Sequence, residues 1–292
     1  MNLNQASFST KARTWILLAG LTALFVGVGW AIGGAALWFF VIFSVVMNLA
    51  AFFWSDKFAI KAARAKEVSE AEAPELHHMV AELAQLYGVP KPRVYMIPSE
   101  QPNAFATGRN PEHAAVAVTE GLLHHLPNDQ VRGVLAHEFS HIKNRDILVS
   151  SIAAMIAGAV SAIGNIFFFM GFLGGDDDDN PLGAIGGLLV ILIAPIAASL
   201  LQLAVSRQRE YLADATAARM LGTGEPLAQA LENLERGRQA LPMQVNPATE
   251  ALYIVNPLNG KGVTALFSTH PPIEERIARL RSYDRNRGIV AA

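Results

Sequence analysis

Three stretches of this chain carry no Asp, Glu, Lys or Arg: Thr14 to Ser55, Ile147 to Gly175, and Asn180 to Ser206. Such runs read as membrane spans, because hydrocarbon accepts a helix of about 20 apolar residues that satisfies its own backbone hydrogen bonds. As one helix the first run would extend about 60 Å, roughly twice the hydrocarbon thickness, so it is predicted to form two spans turning near Gly33 and Gly34. With one span from each later run, the expectation is four crossings. A cleaved signal peptide has a short apolar region before a small-residue cleavage site. This stretch instead continues through Trp38, Phe39, Phe40 and Phe43, so its first helix is expected to remain as an anchor. The composition, 52% hydrophobic and 16% charged, is too apolar for a typical soluble protein, as this plan requires.

Flanking charge sets the orientation. Lys11 and Arg13 precede the first span, Lys57, Lys61, Arg64 and Lys66 follow the second, and Arg207 and Arg209 follow the fourth. The connection between the third and fourth spans holds Asp176, Asp177, Asp178 and Asp179 and no positive residue. Basic flanks stay in the cytoplasm, which puts both termini and both polar stretches there. The plan is a membrane hairpin over 1–55, a polar stretch over 56–146, a second hairpin over 147–206 and a second polar stretch over 207–292. Each polar stretch is short for a rich core of its own, so the two are expected to fold together.

In the first polar stretch, Pro74 to Leu86 has helical spacing, while Val94 to Ile97 and Ala114 to Thr119 read as strands of a small sheet. Between them, Pro98 to Pro111 is rich in turn residues. Asn128 or Asp129, after Pro127, is placed to cap a helix running through His141 toward Asp146, with Val131, Val134, Leu135 and Ile142 on its apolar face. In the second stretch, helices are predicted over Ser206 to Leu221, over Pro226 to Ala240, and from about Pro272. The last would turn Ile273, Ile277 and Leu280 inward and Glu274, Glu275, Arg276 and Arg279 toward water.

A net charge of −2, with no basic patch interleaved with aromatics, argues against nucleic acid as a partner. Cysteine is absent, which removes disulfides, thiolate ligands and a cysteine nucleophile. His, Asp and Glu remain as the strong metal-binding side chains. His137 and His141 are four residues apart, so on a helix their imidazoles share a face and can share a zinc ion. Glu138, beside them, can take a proton from an attacking water and pass it to the leaving amine. An amphipathic helix with two solvated histidines would give the same pentapeptide. A catalytic zinc also needs a third protein ligand, and Ser206 to Asp214 offers Glu210 just past the fourth span. Asp214, one turn on, could accept the outer N–H of a ligand histidine. Alternatively the two carboxylates form a surface pair near Arg207 and Arg209.

Taken together, the paired N-terminal spans, Asn103 to Gly108, Leu135 to His141, two further spans, Ser206 to Asp214 and Ser268 to Pro272 give a sequence that resembles the bacterial HtpX family. These are membrane zinc metalloproteases of the heat-shock response, related to the CAAX prenyl endopeptidases, and the resemblance covers almost the whole chain. It implies that His137, His141 and Glu210 bind one Zn2+, that Glu138 is the general base, and that Asp214 supports a ligand. It also implies that the Asn103 segment lines the substrate cleft and that His270 acts near the transition state, where it could donate to a developing oxyanion. Read without the resemblance, Asn103 sits in a turn-rich loop and His270 caps or packs. An unpaired strand edge near Asn103 would align an extended peptide by main-chain hydrogen bonds. The family commonly has glycine before its second histidine, where this chain has Ser140.

The fold expected is that of a mainly α membrane protein, with four transmembrane helices and a cytoplasmic α+β zincin-like protease domain holding a small sheet. Its partners are polypeptides and membrane lipid; the resemblance implies unfolded or damaged membrane proteins as substrates and a bacterial inner membrane as the location. His141 is six residues before Ile147, about 10 Å along a helix, so the site should lie near the membrane surface. Arg132, Lys143, Arg145 and Asp146 keep its helix out of hydrocarbon. Three other readings compete: a prenyl-protein endopeptidase, which would have more spans and a larger chamber; a scaffold with a structural zinc, which Glu138 argues against; and a transporter, which would carry ionisable residues within its spans. His77, His78, His113, His124 and His125 are read as surface or half-buried residues, without carboxylates at metal spacing. The aspartate run lacks the ligand alternation of a calcium loop.

Overall fold

The computed structural model describes residues 3–156, 207–241, 243, 250–257 and 271–290. Most of the later apolar runs, the aspartate run and His270 lie outside the described residues. Helices α1 (Leu3–Ile32) and α2 (Ala35–Ala62) form the expected hairpin, turning at Gly33 and Gly34 with φ of 81° and 57°. Glycine reaches that left-handed region without the Cβ clash other residues meet. Asn48 on α2 donates from Nδ2 to Thr22 Oγ1 on α1 at 2.6 Å, an interhelical hydrogen bond within the apolar contact. Among the described residues, Ala35–Ala62 is the one helix long and apolar enough to cross a membrane; Thr14–Gly27 and Ile147–Ile156 are shorter apolar stretches.

The remaining elements are β1 (Lys66–Glu67), α3 (Pro74–Tyr87), β2 (Arg93–Ile97), β3 (Ala104–Gly108), β4 (Ala114–Thr119), α4 (Glu120–His125), α5 (Asn128–Lys143), α6 (Ile147–Ile156), α7 (Arg207–Leu221), α8 (Glu225–Ala240) and α9 (Ile273–Val290). The sheet runs β1-β2-β4-β3, with β2 and β4 parallel and the other pairs antiparallel. Strand β3 corrects the turn-rich reading of Pro98 to Pro111. Its five residues, Ala-Phe-Ala-Thr-Gly, are flanked by turn formers and gain their strand conformation from pairing with β4, in register Ala106↔Val116. A second correction concerns α5: Pro127 occupies its N-cap position and no side chain caps it.

Strand β4 is buried throughout, and its alternation separates two layers. Ala114, Val116 and Val118 face the main core, where Leu83 of α3, Leu135 and Phe139 of α5, and Leu231 of α8 meet. Ala115 and Ala117 face the other way, onto Phe105, Tyr253, Ala59 of α2 and Ala154 of α6. The sheet is thus held between the helical core and the apolar helices α2 and α6. Helix α6 also packs on the hairpin through Val149, Ile152 and Ile156, against Leu17, Leu21 and Phe25. The main core draws on both polar stretches, through α5 from the first and α7, α8 and α9 from the second.

Helix α5 is central, and Gly133 lets α8 approach it. A Cβ at Gly133 would sit 2.8 Å from the Leu227 backbone N. On an open helix Gly→Ala gains about 1 kcal/mol. Here the contact is with backbone, so Gly133→Ala is expected to lower stability by about 1–3 kcal/mol, the usual cost of overpacking. Thermal unfolding in detergent checks the sign; a raised midpoint would show that the two helices can part.

Candidate active site

Helix α5 presents His137 and His141 side by side, and α7 brings Glu210 to them. The Nε2 atoms of the two histidines are 3.2 Å apart, His137 Nε2 lies 3.5 Å from Glu210 Oε2, and His141 Nε2 lies 3.6 Å from Glu210 Oε1. Ligand atoms about 2.05 Å from a tetrahedral ion stand roughly 3.3 Å from one another, so two imidazoles with a carboxylate that turns one oxygen to each are gathered at a spacing suited to a metal. The outer nitrogens agree. His137 Nδ1 lies 2.9 Å from Asp214 Oδ1, and His141 Nδ1 lies 3.4 Å from Asp146 Oδ2. Donation to those carboxylates puts each proton on Nδ1 and leaves both Nε2 lone pairs free for a metal.

Sequence reasoning assigned no such role to Asp146. It follows the end of α5, and Arg145, in the left-handed region at φ 61°, reverses the chain so that the Asp146 N–H donates to the His141 carbonyl at 3.0 Å. Its carboxylate is thereby carried back to the histidine.

Arg276 requires a correction: expected toward water, it is fully buried. Its Nε and Nη2 donate to Asp214 Oδ2 and Oδ1 at 2.9 and 2.8 Å, and Nη1 donates to the Ile254 carbonyl at 3.0 Å. This fork ties α9, α7 and the 250–257 segment to the group that orients His137. Burial pushes the Asp214 carboxyl up, but the Arg276 charge and hydrogen bonds outweigh it and hold it down at about 2. Burial also opposes charge on His137, yet the hydrogen bonds it donates to the Asp214 and Glu210 carboxylates raise its pKa to about 9.

Those two carboxylates make protons compete with metal. In the metal-free chain the His137 value is raised above its unfolded 6.5, so its stabilisation is full below 6.5 and is lost as pH rises through about 9. Metal needs the neutral imidazole, so its affinity should rise over the same window, by up to roughly tenfold per pH unit for one released proton. The difference in thermal midpoint between loaded and metal-free protein should therefore widen from pH 6.5 to 9. A constant difference would contradict the competition.

Glu138 lines the cavity with the three donors and is 2% exposed. Burial raises its pKa, the two histidines pull it back, and the backbone N–H of Ala106 on β3 donates to it. The outward edge of β3 therefore faces the site at Ala106. On either side that edge is occupied: Ile254 N donates to the Ala104 carbonyl at 3.1 Å, and Gly108 N donates to Ser151 Oγ of α6 at 3.3 Å. Asn103 is 1% exposed, its Nδ2 donating to the Val255 carbonyl at 2.8 Å and its Oδ1 accepting from Ala104 N at 3.1 Å. It fastens the 250–257 segment at the start of β3. The enclosed space at the site is ≈ 20 Å³, room for about one water. His270 lies outside the described residues.

Ser140, in the place of the family's glycine, is buried, with Oγ donating to the Ala136 carbonyl at 2.9 Å and lying 3.2 Å from Tyr87 Oη. The discounted histidines meet carboxylates only at the surface: His78 lies 3.7 Å from Glu82, and His124 and His125 lie 3.8 and 3.5 Å from Glu100. His137, His141 and Glu210 are the metal-competent cluster among the described residues.

Two imidazoles and a carboxylate converging beside a buried glutamate at a strand edge define a metallopeptidase. The peptidase family M48 profile matches residues 70–284. A protease HtpX homolog of Pelotomaculum thermopropionicum is 54% identical over 275 residues, covering 92% of this chain and 98% of that one. Another, of Persephonella marina, is 52% identical, covering 95% and 99%. The crystal structure of S. mikatae Ste24p aligns with a TM-score of 0.50 at 20% identity, over 93% of this chain and 64% of that one, a likeness of fold alone. The chain belongs to peptidase family M48, in its HtpX branch, and is a membrane metalloprotease.

Proposed function

We propose that this protein is a zinc endopeptidase that cleaves unfolded or damaged membrane proteins at the cytoplasmic face of the bacterial inner membrane, as part of protein quality control under stress. The observation that carries the reading is the triangle of His137, His141 and Glu210 donors beside Glu138. Zinc suits two imidazoles and one carboxylate with a position left open, and when bound it supplies Lewis acidity toward the scissile carbonyl and the attacking water. Glu138 takes a proton from that water and returns it to the leaving amine. Asp214 and Asp146 keep the imidazoles oriented, and His270 donates to the developing oxyanion.

Four spans, both termini in the cytoplasm and a joint domain from 56–146 and 207–292 belong to the same proposal, supported by the flanking charges and the shared core. Substrate would pair with β3 at Ala106. Since the present space admits about one water, the 250–257 segment must yield first, and Asn103 would exchange Val255 for substrate main chain. Casein cleavage by the detergent-purified full chain tests the reading. Chelation should stop it and zinc restore it, with folded proteins cleaved far more slowly; chelator-insensitive cleavage would overturn it.

A further inference from the structure

The polar end of α2 opens onto a groove of ≈ 600 Å³ that the proteolytic reading leaves unused. Its walls come from Phe53, Trp54 and Lys57 on α2, Arg93 on β2, and Arg109 and His113 around the β3–β4 turn. Lys91 also borders it, and Asp56 and Glu112 are its acidic residues. Arg93 is paired with Asp56 at 3.3 Å, and Lys91 is paired with Glu70. Neither Lys57 nor Arg109 forms an ion pair with a described residue. Arg109 instead lies over the Phe53 ring, 5.8 Å from its centroid, and donates from Nη2 to His113 Nε2 at 2.6 Å. His113 in turn donates from Nδ1 to Asn110 Oδ1 at 2.6 Å, which fixes the orientation of its imidazole. Two cations without an ion-pair partner among the described residues thus line the groove beside the aromatic side chains of Phe53 and Trp54, with Glu112 as its unpaired carboxylate.

That wall continues. Ile42, Val46, Leu49 and Phe53 are all exposed, and their spacing of four, three and four residues puts them on one face of α2. An apolar stripe therefore leads directly to a basic groove at the end of an apolar helix. We propose that the groove binds the phosphate headgroup of an anionic phospholipid, with an acyl chain along the Ile42–Phe53 face. A free phosphate would use the cations and leave the stripe bare; a lipid uses both. Bound there, the headgroup ties α2 to β2 and to the turn after β3, and so steadies the strand whose edge meets Glu138.

The test is native mass spectrometry of the detergent-solubilised full chain with phosphatidylglycerol and phosphatidylcholine of matched acyl chains. Wild type should prefer phosphatidylglycerol by roughly thirtyfold, at about fivefold for each cation near a membrane surface. Lys57→Gln with Arg109→Gln should abolish the preference, while Lys61→Gln with Lys66→Gln, losing the same charge outside the groove, should keep it. Equal loss in both pairs would reduce the effect to general surface attraction and overturn the site, as would an unchanged preference in the first pair. Displacement of the lipid by inorganic phosphate at comparable concentration would overturn the lipid assignment. Should the first pair fail to fold, Lys57→Glu alone, at an exposed position, carries the same expectation.

Discussion

Glu138→Gln should leave metal bound at the wild-type level and lower peptide cleavage by about 10²–10⁴-fold, the usual contribution of a positioned base. The two outcomes separate because Glu138 is not among the three converging donors, yet shares their cavity. Glutamine keeps the shape and can still accept the Ala106 N–H, so the loss would be that of a proton acceptor. Metal analysis with steady-state cleavage on one preparation reads both. Wild-type turnover in this variant would remove Glu138 from the mechanism, and loss of metal would recast it as a ligand.

Arg276→Met should be the most damaging substitution away from the metal donors. It leaves the Asp214 carboxylate buried with His137 as its remaining charged neighbour, and breaking one half of a buried pair costs about 3–5 kcal/mol. Metal affinity should also fall, by roughly 10–100-fold, because Asp214 would no longer be fixed against His137 Nδ1. Arg276→Lys should not rescue it, since an ammonium cannot span both carboxylate oxygens as the guanidinium does. In a double-mutant cycle, adding Asp214→Asn to Arg276→Met should cost less than the sum of the two changes. Unfolding and zinc titration check this; additive costs would mean the fork does not couple α9 to the site.

Arg276 also shows where the sequence was legible and where it was misread. Its spacing from Ile273 and Leu280 puts it on the inward stripe of α9, so the periodicity was right and the residue type argued against it. Only the fold reveals that an acidic partner waits there, contributed by α7, 62 positions earlier. Asp146 was hidden differently: its reach back to His141 depends on the left-handed turn at Arg145, which side-chain periodicity does not encode. Strand β3 was obscured because a short edge strand of small residues takes its conformation from a partner rather than from propensity. By contrast, the glycine-turned hairpin and the His137–His141 pair rest on local geometry and were readable directly. Glu210 was a choice between ligand and surface pair until α7 was seen packed against α5.

The account stands on one claim, that His137, His141 and Glu210 hold a single metal together. X-ray absorption on the zinc-loaded full chain tests it most directly, comparing wild type with His141→Ala and Glu210→Gln. Wild type should show one zinc with nitrogen and oxygen donors at about 2.0–2.2 Å, two of them imidazoles, and the variants should lose one imidazole and one carboxylate donor respectively, or the metal altogether. Zinc bound at full occupancy with an unchanged ligand shell in either variant would contradict it.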